Sequence, residues 1–244
     1  MTSSEALAEL RRRGFLGIRV VGDVHGEAQS FAHAVEGARE AGLYLLQLGD
    51  LTDYGPDSPG VLRLMFEVLD RSAGRFLLGN HDHKLRRALT GQRVNQAAEG
   101  LGLTLAQLGE DPEGEALARR AIEEIARAPA WLRLGPWIFV HGGYHPGMLH
   151  QPPPEGAGAE RPQPVVTRAL FGQVTGRMRT DGYPERVLDW VDRIPSGLTV
   201  YCGHDRRSVN GRPFVQAGAA GGRAVFLDTG AGKGGHLSWI DLRF

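Results

Sequence analysis

The sequence predicts a layered α/β fold, and three observations carry that reading. Short apolar, β-rich runs alternate with amphipathic stretches through the first half, the arrangement of strands packed against helices. Several of these runs end in glycine beside aspartate, histidine or asparagine, as strand exits gathered at one end of a sheet do. With 41% hydrophobic and 23% charged residues over 244 positions, the composition is globular and the length suits one large domain or two small ones.

The elements follow in order. The first strand is expected over Ile18 to Val21. Glu27 to Ala41 sets Phe31, Ala32, Val35 and Ala38 on one helical face, and Gly42 follows where a left-handed stop belongs. Leu45, Leu46 and Leu48 mark the second strand. Ser58 and Pro59 are the expected N-cap and first residue of a helix whose stripe is Val61, Leu62, Met65, Val68 and Leu69. Phe76 to Leu78 make the third strand. From Lys84 to Ala128 the pattern is mostly helical, with Asp111 and Pro112 starting a segment that aligns Leu117, Ala121, Ile125 and Ala128, so residues 85–130 read as a helical insertion. Strand character returns at Trp137 to Val140, Leu198 to Cys202, Ala224 to Leu227 and Leu237 to Leu242. Residues 151–164, rich in Pro, Gly and Glu, read as an exposed loop. No clean boundary divides the remainder, so residues 18–244 are taken as one domain and 1–17 as an N-terminal extension.

Charge and cysteine usage exclude several classes. Lys plus Arg and Asp plus Glu are 28 each, so the chain has no overall basic excess for a polyanion, and only a local patch could serve one. Cys202 is the only cysteine, which rules out an intrachain disulfide or a cysteine-rich zinc site and fits a reducing compartment. Glu5, Glu9 and Arg11 to Arg13 interrupt the N-terminal apolar residues, and no run reaches the roughly 18 apolar residues of a membrane span. A cytoplasmic protein with no membrane attachment and no obligate protein partner is expected.

The chemistry lies where the strands end. Five apolar runs lead into Gly22-Asp23-Val24-His25-Gly26, Gly49-Asp50-Leu51-Thr52-Asp53, Gly79-Asn80-His81-Asp82, His141-Gly142-Gly143 and Gly203-His204-Asp205. Any one of them is an ordinary strand-exit turn. Together they bring carboxylates, an amide and imidazoles to one sheet end, a cluster whose desolvation needs a cation to offset it. The mixed set is too oxygen-rich for a structural zinc site and too nitrogen-rich for a calcium cage, and it suits Mn, Fe, Zn, Ni or Co. Asp23, His25, Asp50, Asn80, His141 and His204 are more ligands than one catalytic metal takes, which points to a binuclear centre with a bridging carboxylate. His81, adjacent to Asn80 but left off the metal, is the candidate general acid.

In this order and spacing the five motifs resemble the signature of calcineurin-like metallophosphoesterases. The branch they are most similar to is shared by phosphoprotein phosphatases, symmetrical diadenosine tetraphosphatases and the phosphatase module of bacterial polynucleotide kinase-phosphatase. Residues from Asn80 to Arg93, and later Asp228-Thr229-Gly230 with Gly234-Gly235, resemble the last most closely. The resemblance implies a four-layer α-β-β-α sandwich of two mixed sheets flanked by helices. It implies Asp23 and His25 on a first metal, Asp50 as the bridge, and Asn80, His141 and His204 on a second, with manganese the foremost of the candidate ions. Asp53 and His81 would form the acid pair. Two divalent cations outweigh Asp23, Asp50 and a bridging hydroxide, leaving a positive site for a phosphate ester and a water acidified enough to attack it.

The expected activity is therefore a metal-dependent phosphatase acting on a nucleotide, a dinucleoside polyphosphate or another small phosphoester, with an RNA end among the candidates. The alternatives are a serine/threonine protein phosphatase and a non-catalytic scaffold of the same fold. Three departures qualify the resemblance. Tyr54 stands where protein phosphatases of the branch carry arginine, and Lys84 stands where another arginine falls, a point charge in place of a planar fork. Gly203-His204-Asp205-Arg206 lacks a second histidine two residues on. Lys84 is the expected substrate-binding residue. The glycines around Lys233 lack the Gly-Lys-Ser/Thr order of a phosphate loop and read as a tight turn before the last strand.

Overall fold

The computed structural model describes residues 3–180 and 184–244, so the first two residues of the expected N-terminal extension lie outside the described residues. The first half runs α1 (Ser3–Arg12), β1 (Gly17–Val21), α2 (Ala28–Glu40), β2 (Leu43–Gln47), α3 (Ser58–Asp70) and β3 (Gly74–Phe76). Three helices follow, α4 (Asn80–Leu89), α5 (Leu101–Glu110) and α6 (Gly114–Arg127). The second half contains β4 (Trp131–Leu134), β5 (Trp137–Val140), α7 (Pro164–Phe171), β6 (Val174–Met178), β7 (Pro184–Arg186), β8 (Thr199–Cys202), β9 (Phe214–Ala217), β10 (Arg223–Phe226) and β11 (Trp239–Arg243).

Two mixed sheets result. The first has the order β11-β1-β2-β3, with β1, β2 and β3 parallel and β11 antiparallel to β1. The second has the order β4-β5-β8-β10-β9, with β5, β8 and β10 parallel and both edges antiparallel. Strand side chains alternate between faces, and this alternation sorts the core into layers. Ile18, Val20, Tyr44 and Leu46 from the first sheet meet Phe139, Tyr201 and Val225 from the second in one buried cluster. The intervening residues Val21, Leu43, Leu45, Ile138, Val140, Val200 and Phe226 belong to a second, larger cluster with the helices. Phe31, Ala34 and Ala38 of α2 and Val61, Leu62 and Met65 of α3 cover the first sheet. Val166, Ala169 and Leu170 of α7 and the segment Trp190 to Ile194 cover the second, with the Trp190 and Phe226 rings 5.8 Å apart. The architecture is the four-layer α-β-β-α sandwich.

Local details differ from expectation in instructive ways. The N-cap of α3 is Asp57, whose Oδ1 accepts from the Gly60 amide at 2.7 Å; Ser58 is inside the helix, its hydroxyl 3.2 Å from Thr104 Oγ1. Asp111 closes α5 instead of opening the next helix, because its Oδ1 accepts from the Glu113 amide and α6 starts at Gly114. Gly42, at φ +64°, follows the end of α2 as expected. The strands β4 and β9 and the β6-β7 hairpin are additional to the pattern. Phe214 and Val215 of β9 are exposed at a sheet edge, so they show no buried alternation. α1 lies in the expected extension, and its Leu10, with Ala6 and Leu7, packs on the inter-sheet cluster. Among the described residues, no helix is long and apolar enough to cross a membrane.

Candidate metal centre

Within each sheet the central strands run parallel, β1-β2-β3 in the first and β5-β8-β10 in the second, and each run delivers polar residues just beyond its strands. Asp23 follows β1, Asp50 follows β2, Asn80 opens α4 after β3, His141 follows β5 and His204 follows β8. Two groups of side chains have ligand atoms close enough to share an ion, His25 with Asp50 and His81, and Asp50 with His141 and His204. Asp50 is common to both. Its Oδ2 lies 3.3 Å from His141 Nε2, 3.8 Å from His25 Nε2 and 4.0 Å from His81 Nε2. Asn80 Oδ1 is 2.9 Å from His141 Nε2, and Asp23 Oδ2 is 3.9 Å from His25 Nε2. All six expected ligands are thus brought to one place.

The donor set fits divalent ions by its orientation as well as its composition. His25 Nδ1 is 2.9 Å from the Thr52 carbonyl and His141 Nδ1 is 3.0 Å from the Leu48 carbonyl, which places the proton on Nδ1 and turns Nε2 toward the site. Buried His204 Nε2 has no hydrogen-bond partner among the described residues, an orphaned lone pair of the kind a metal takes up. The His204 amide donates to both Asp23 oxygens at 3.1 and 3.0 Å, tying a ligand of one sheet to a ligand of the other. A Cβ at Gly203 would run into Asp23 Oδ1, so glycine is what lets these two turns close on one another.

Charge is distributed unevenly. Burial and the Asp228 carboxylate push Asp23 well above the usual carboxylate range. Burial would also raise Asp50, but the imidazoles of His141 and His81 hold it well below that range. His141 is pulled down by burial, but the carboxylates of Asp50, Asp23 and Asp82 together lift it to about 9. Burial and the Lys233 ammonium keep His25 well below the ordinary imidazole value; burial and His141 do the same to His204. Five of the six non-glycine residues with positive φ among the described residues are His25, Asp50, Asp53, Tyr54 and His204. Backbone strain is concentrated at the candidate ligands His25, Asp50 and His204 and at Asp53 and Tyr54 beside them.

Asp53 and His81, the expected acid pair, are in contact. Asp53 Oδ2 lies 2.6 Å from His81 Nδ1, and Asp53 Oδ1 accepts from the Thr104 hydroxyl at 2.8 Å while the Asp53 amide donates back to Thr104 Oγ1 at 3.0 Å. Asp82, lifted to about 6 by burial and Asp50, accepts from the amides of Asp50, Leu51 and Gly79 and so fixes the turn that carries Asp50.

Lys84, the expected substrate-binding residue, lies outside the lining of the cavity at the site. A cavity of about 380 Å³ is lined by Asp23, Asp50, Asn80, His81 and His204, and Lys84 is not among its lining residues. Asn80 and His81 occupy the first turn of α4, and Lys84 falls a helical turn further on, about 5 Å along the axis. The cations that do line the cavity are Arg179, Arg186, Arg206 and Lys233. Asp228, just beyond β10, also lines it and repeats the strand-end signature, so it was findable from sequence; the arginines and Thr104 carry no such signal.

Comparisons with known proteins identify the family and the fold. The calcineurin-like phosphoesterase family model matches residues 16–205. The chain is 30% identical to the bis(5'-nucleosyl)-tetraphosphatase PrpE [asymmetrical] of Geobacillus thermodenitrificans, over 91% of this chain and 88% of that protein. It is 28% identical to the protein of the same name from Bacillus subtilis, over 90% and 88% respectively. A solved structure described as a candidate diadenosine tetraphosphatase superposes with TM-score 0.56 at 23% identity, covering 94% of this chain and 95% of that one. A Saccharomyces cerevisiae serine/threonine phosphatase gives TM-score 0.56 at 14% identity, covering 98% and 87%. These two likenesses establish the fold alone. With the family signature matched across most of its length, the chain belongs to the calcineurin-like phosphoesterases and is a hydrolase of phosphoric esters.

Proposed function

We propose that this enzyme uses two divalent ions to hydrolyse a dinucleoside tetraphosphate off-centre, giving a nucleoside triphosphate and a nucleoside monophosphate. The observation that carries the binuclear reading is the pair of ligand groups sharing Asp50. Asp23, His25 and Asp50 would hold one ion, and Asp50, Asn80, His141 and His204 the other, with manganese foremost and Fe, Zn, Ni and Co as alternatives. When bound, such ions acidify a water toward neutral pH and offset phosphate charge. The substrate follows from the relatives named as tetraphosphatases and from the cationic rim of the cavity, where Arg186 and Arg206 meet a chain of phosphates.

The residues divide the remaining work. His25 and His141 keep Nε2 directed inward through their carbonyl hydrogen bonds. His81, paired through Nδ1 with Asp53, presents Nε2 as the proton donor to the departing oxygen. The catalytic unit comprises residues 18–244, with the 85–130 insertion supplying Thr104; residues 1–17 are an extension, and the expected exposed loop at 151–164 is exposed except at Ala157 and Gly158, which pack on the core, and gives way to α7 at Pro164. The protein works in the cytoplasm, where buried Cys202 stays reduced.

The test is a substrate panel on manganese-loaded protein containing diadenosine tetraphosphate, p-nitrophenyl phosphate and its bis ester, a 3'-phosphorylated RNA and a phosphoserine peptide. ATP and AMP in equal amounts from diadenosine tetraphosphate are expected. Two molecules of ADP, or preferential turnover of the phosphopeptide, would reject the reading.

A further inference from the structure

Arginine is the residue the family resemblance leads one to expect at position 54, beside the acid pair, and Tyr54 brings no charge there. A positive charge nevertheless reaches the same place from the far end of the chain. Lys233 Nζ lies 4.3 Å from the centroid of the Tyr54 ring and 3.0 Å from His25 Nε2. The Tyr54 ring in turn stands edge-on to His25 at 5.1 Å and 5.4 Å from the His81 ring, so the ammonium sits among a metal-ligand candidate, the acid candidate and an aromatic face.

The loop that delivers Lys233 is built for that approach. Gly230, Gly232 and Gly234 all have positive φ, at +84°, +69° and +80°. Gly232 packs directly on the His25 turn, where a Cβ would lie 2.6 Å from the His25 carbonyl oxygen. The backbone is therefore pressed against the site one residue before the lysine, and Lys233 lines the cavity with Asp23, Asp50, Asn80 and His204.

We propose that Lys233 is the substrate-phosphate cation of this enzyme, replacing in space the arginine absent from position 54, with Tyr54 as its cation–π platform. The proposal rests on the phosphoesterase reading above and deepens it by naming the group that receives the phosphoryl oxygens. An ammonium and a divalent ion cannot both occupy His25 Nε2. Once that nitrogen serves a metal, Lys233 gives up the hydrogen bond and is held beside the site by its loop and the tyrosine ring, free to donate to an anionic oxygen. Lys233 thus opposes metal and assists phosphate, and a packing residue would do neither.

That opposition supplies the test. Lys233→Met, Lys233→Arg and the double variant Tyr54→Arg/Lys233→Met are compared with the parent protein by calorimetric binding of manganese, calorimetric binding of inorganic phosphate to the manganese-loaded form, and KM and kcat on diadenosine tetraphosphate. Lys233→Met is expected to bind phosphate about tenfold more weakly and to raise KM by a similar factor, while binding manganese as tightly as the parent or more tightly. Lys233→Arg keeps phosphate affinity, and the double variant regains it. Phosphate affinity of Lys233→Met within about twofold of the parent, loss of manganese together with phosphate, or no recovery in the double variant would overturn the proposal. Failure of the parent protein to hydrolyse the tetraphosphate would instead overturn the functional reading, and phosphate binding to its loaded form would still decide the role of Lys233.

Discussion

His81 serves two neighbours with its two nitrogens, Asp53 at Nδ1 and the cavity at Nε2. Its Nε2 is also 4.0 Å from Asp50, close enough for the same imidazole to be counted among the metal-ligand groups. The two roles separate on substitution. His81→Asn is expected to retain both manganese ions by elemental analysis and to lose about a hundredfold or more in kcat on alkyl phosphate esters, with a smaller loss on p-nitrophenyl phosphate, whose leaving group needs no proton. Loss of one metal would make His81 a ligand instead. Of the residues in this network, the convergence of the six candidate ligands and of Asp53 with His81 was legible in the sequence, because each stands within a few residues of a strand end or a helix start. Lys233 was not legible. Its position depends on a loop folding back on the His25 turn, and no local pattern encodes that contact.

At the scale of elements, the helical segment between β3 and β4 does more than enclose the core. α5 carries Thr104, buried, which exchanges two hydrogen bonds with Asp53 and contacts Ser58 of α3. The insertion therefore braces the acid pair, and Thr104→Val tests this. The variant is expected to lose about 1–2 kcal/mol of stability and about tenfold in kcat on alkyl esters, with manganese content unchanged, measured by denaturant titration and steady-state kinetics. Elements with a clean period were legible to within a few residues, as β1, β5, α2 and α3 show. Those without one were not. The β6-β7 hairpin exposes Val174 and Met178 and buries no face, so its strands show no alternation to read. Caps misled for a related reason: Asp57 and Ser58 are both good N-caps by type, and only the Gly60 amide distinguishes them.

Across the whole molecule, the ligands are split between the two sheets, with Asp23, Asp50 and Asn80 beyond the first and His141 and His204 beyond the second. Metal bound by these candidate ligands would clamp one sheet to the other and stabilise the native state in proportion to its occupancy. Manganese in large excess is expected to raise Tm by about 5–10 °C relative to chelator-treated protein, and Asp50→Asn to abolish most of that gain. The gain depends on pH with a definite sign. In the metal-free protein His141 titrates at about 9, above its unfolded value, so its contribution is complete below about 6.5 and is lost as pH rises through about 9. A metal needs the neutral ring, so proton and ion compete below that value, and the thermal shift produced by manganese should widen from pH 6.5 to 9. A shift that narrows over this interval would mean that His141 does not bind the ion.

The strand leading to Asp23 has its outer neighbour in β11, residues 239–243, paired antiparallel along its full length from Gly17 with Arg243 to Val21 with Trp239. During synthesis on the ribosome β1 emerges about 200 residues before β11 and must wait for it before that flank is closed. A product lacking residues 239–243 would leave an open, sticky border on the strand that leads to a candidate metal ligand, and it is expected to be a ready target for quality-control proteases.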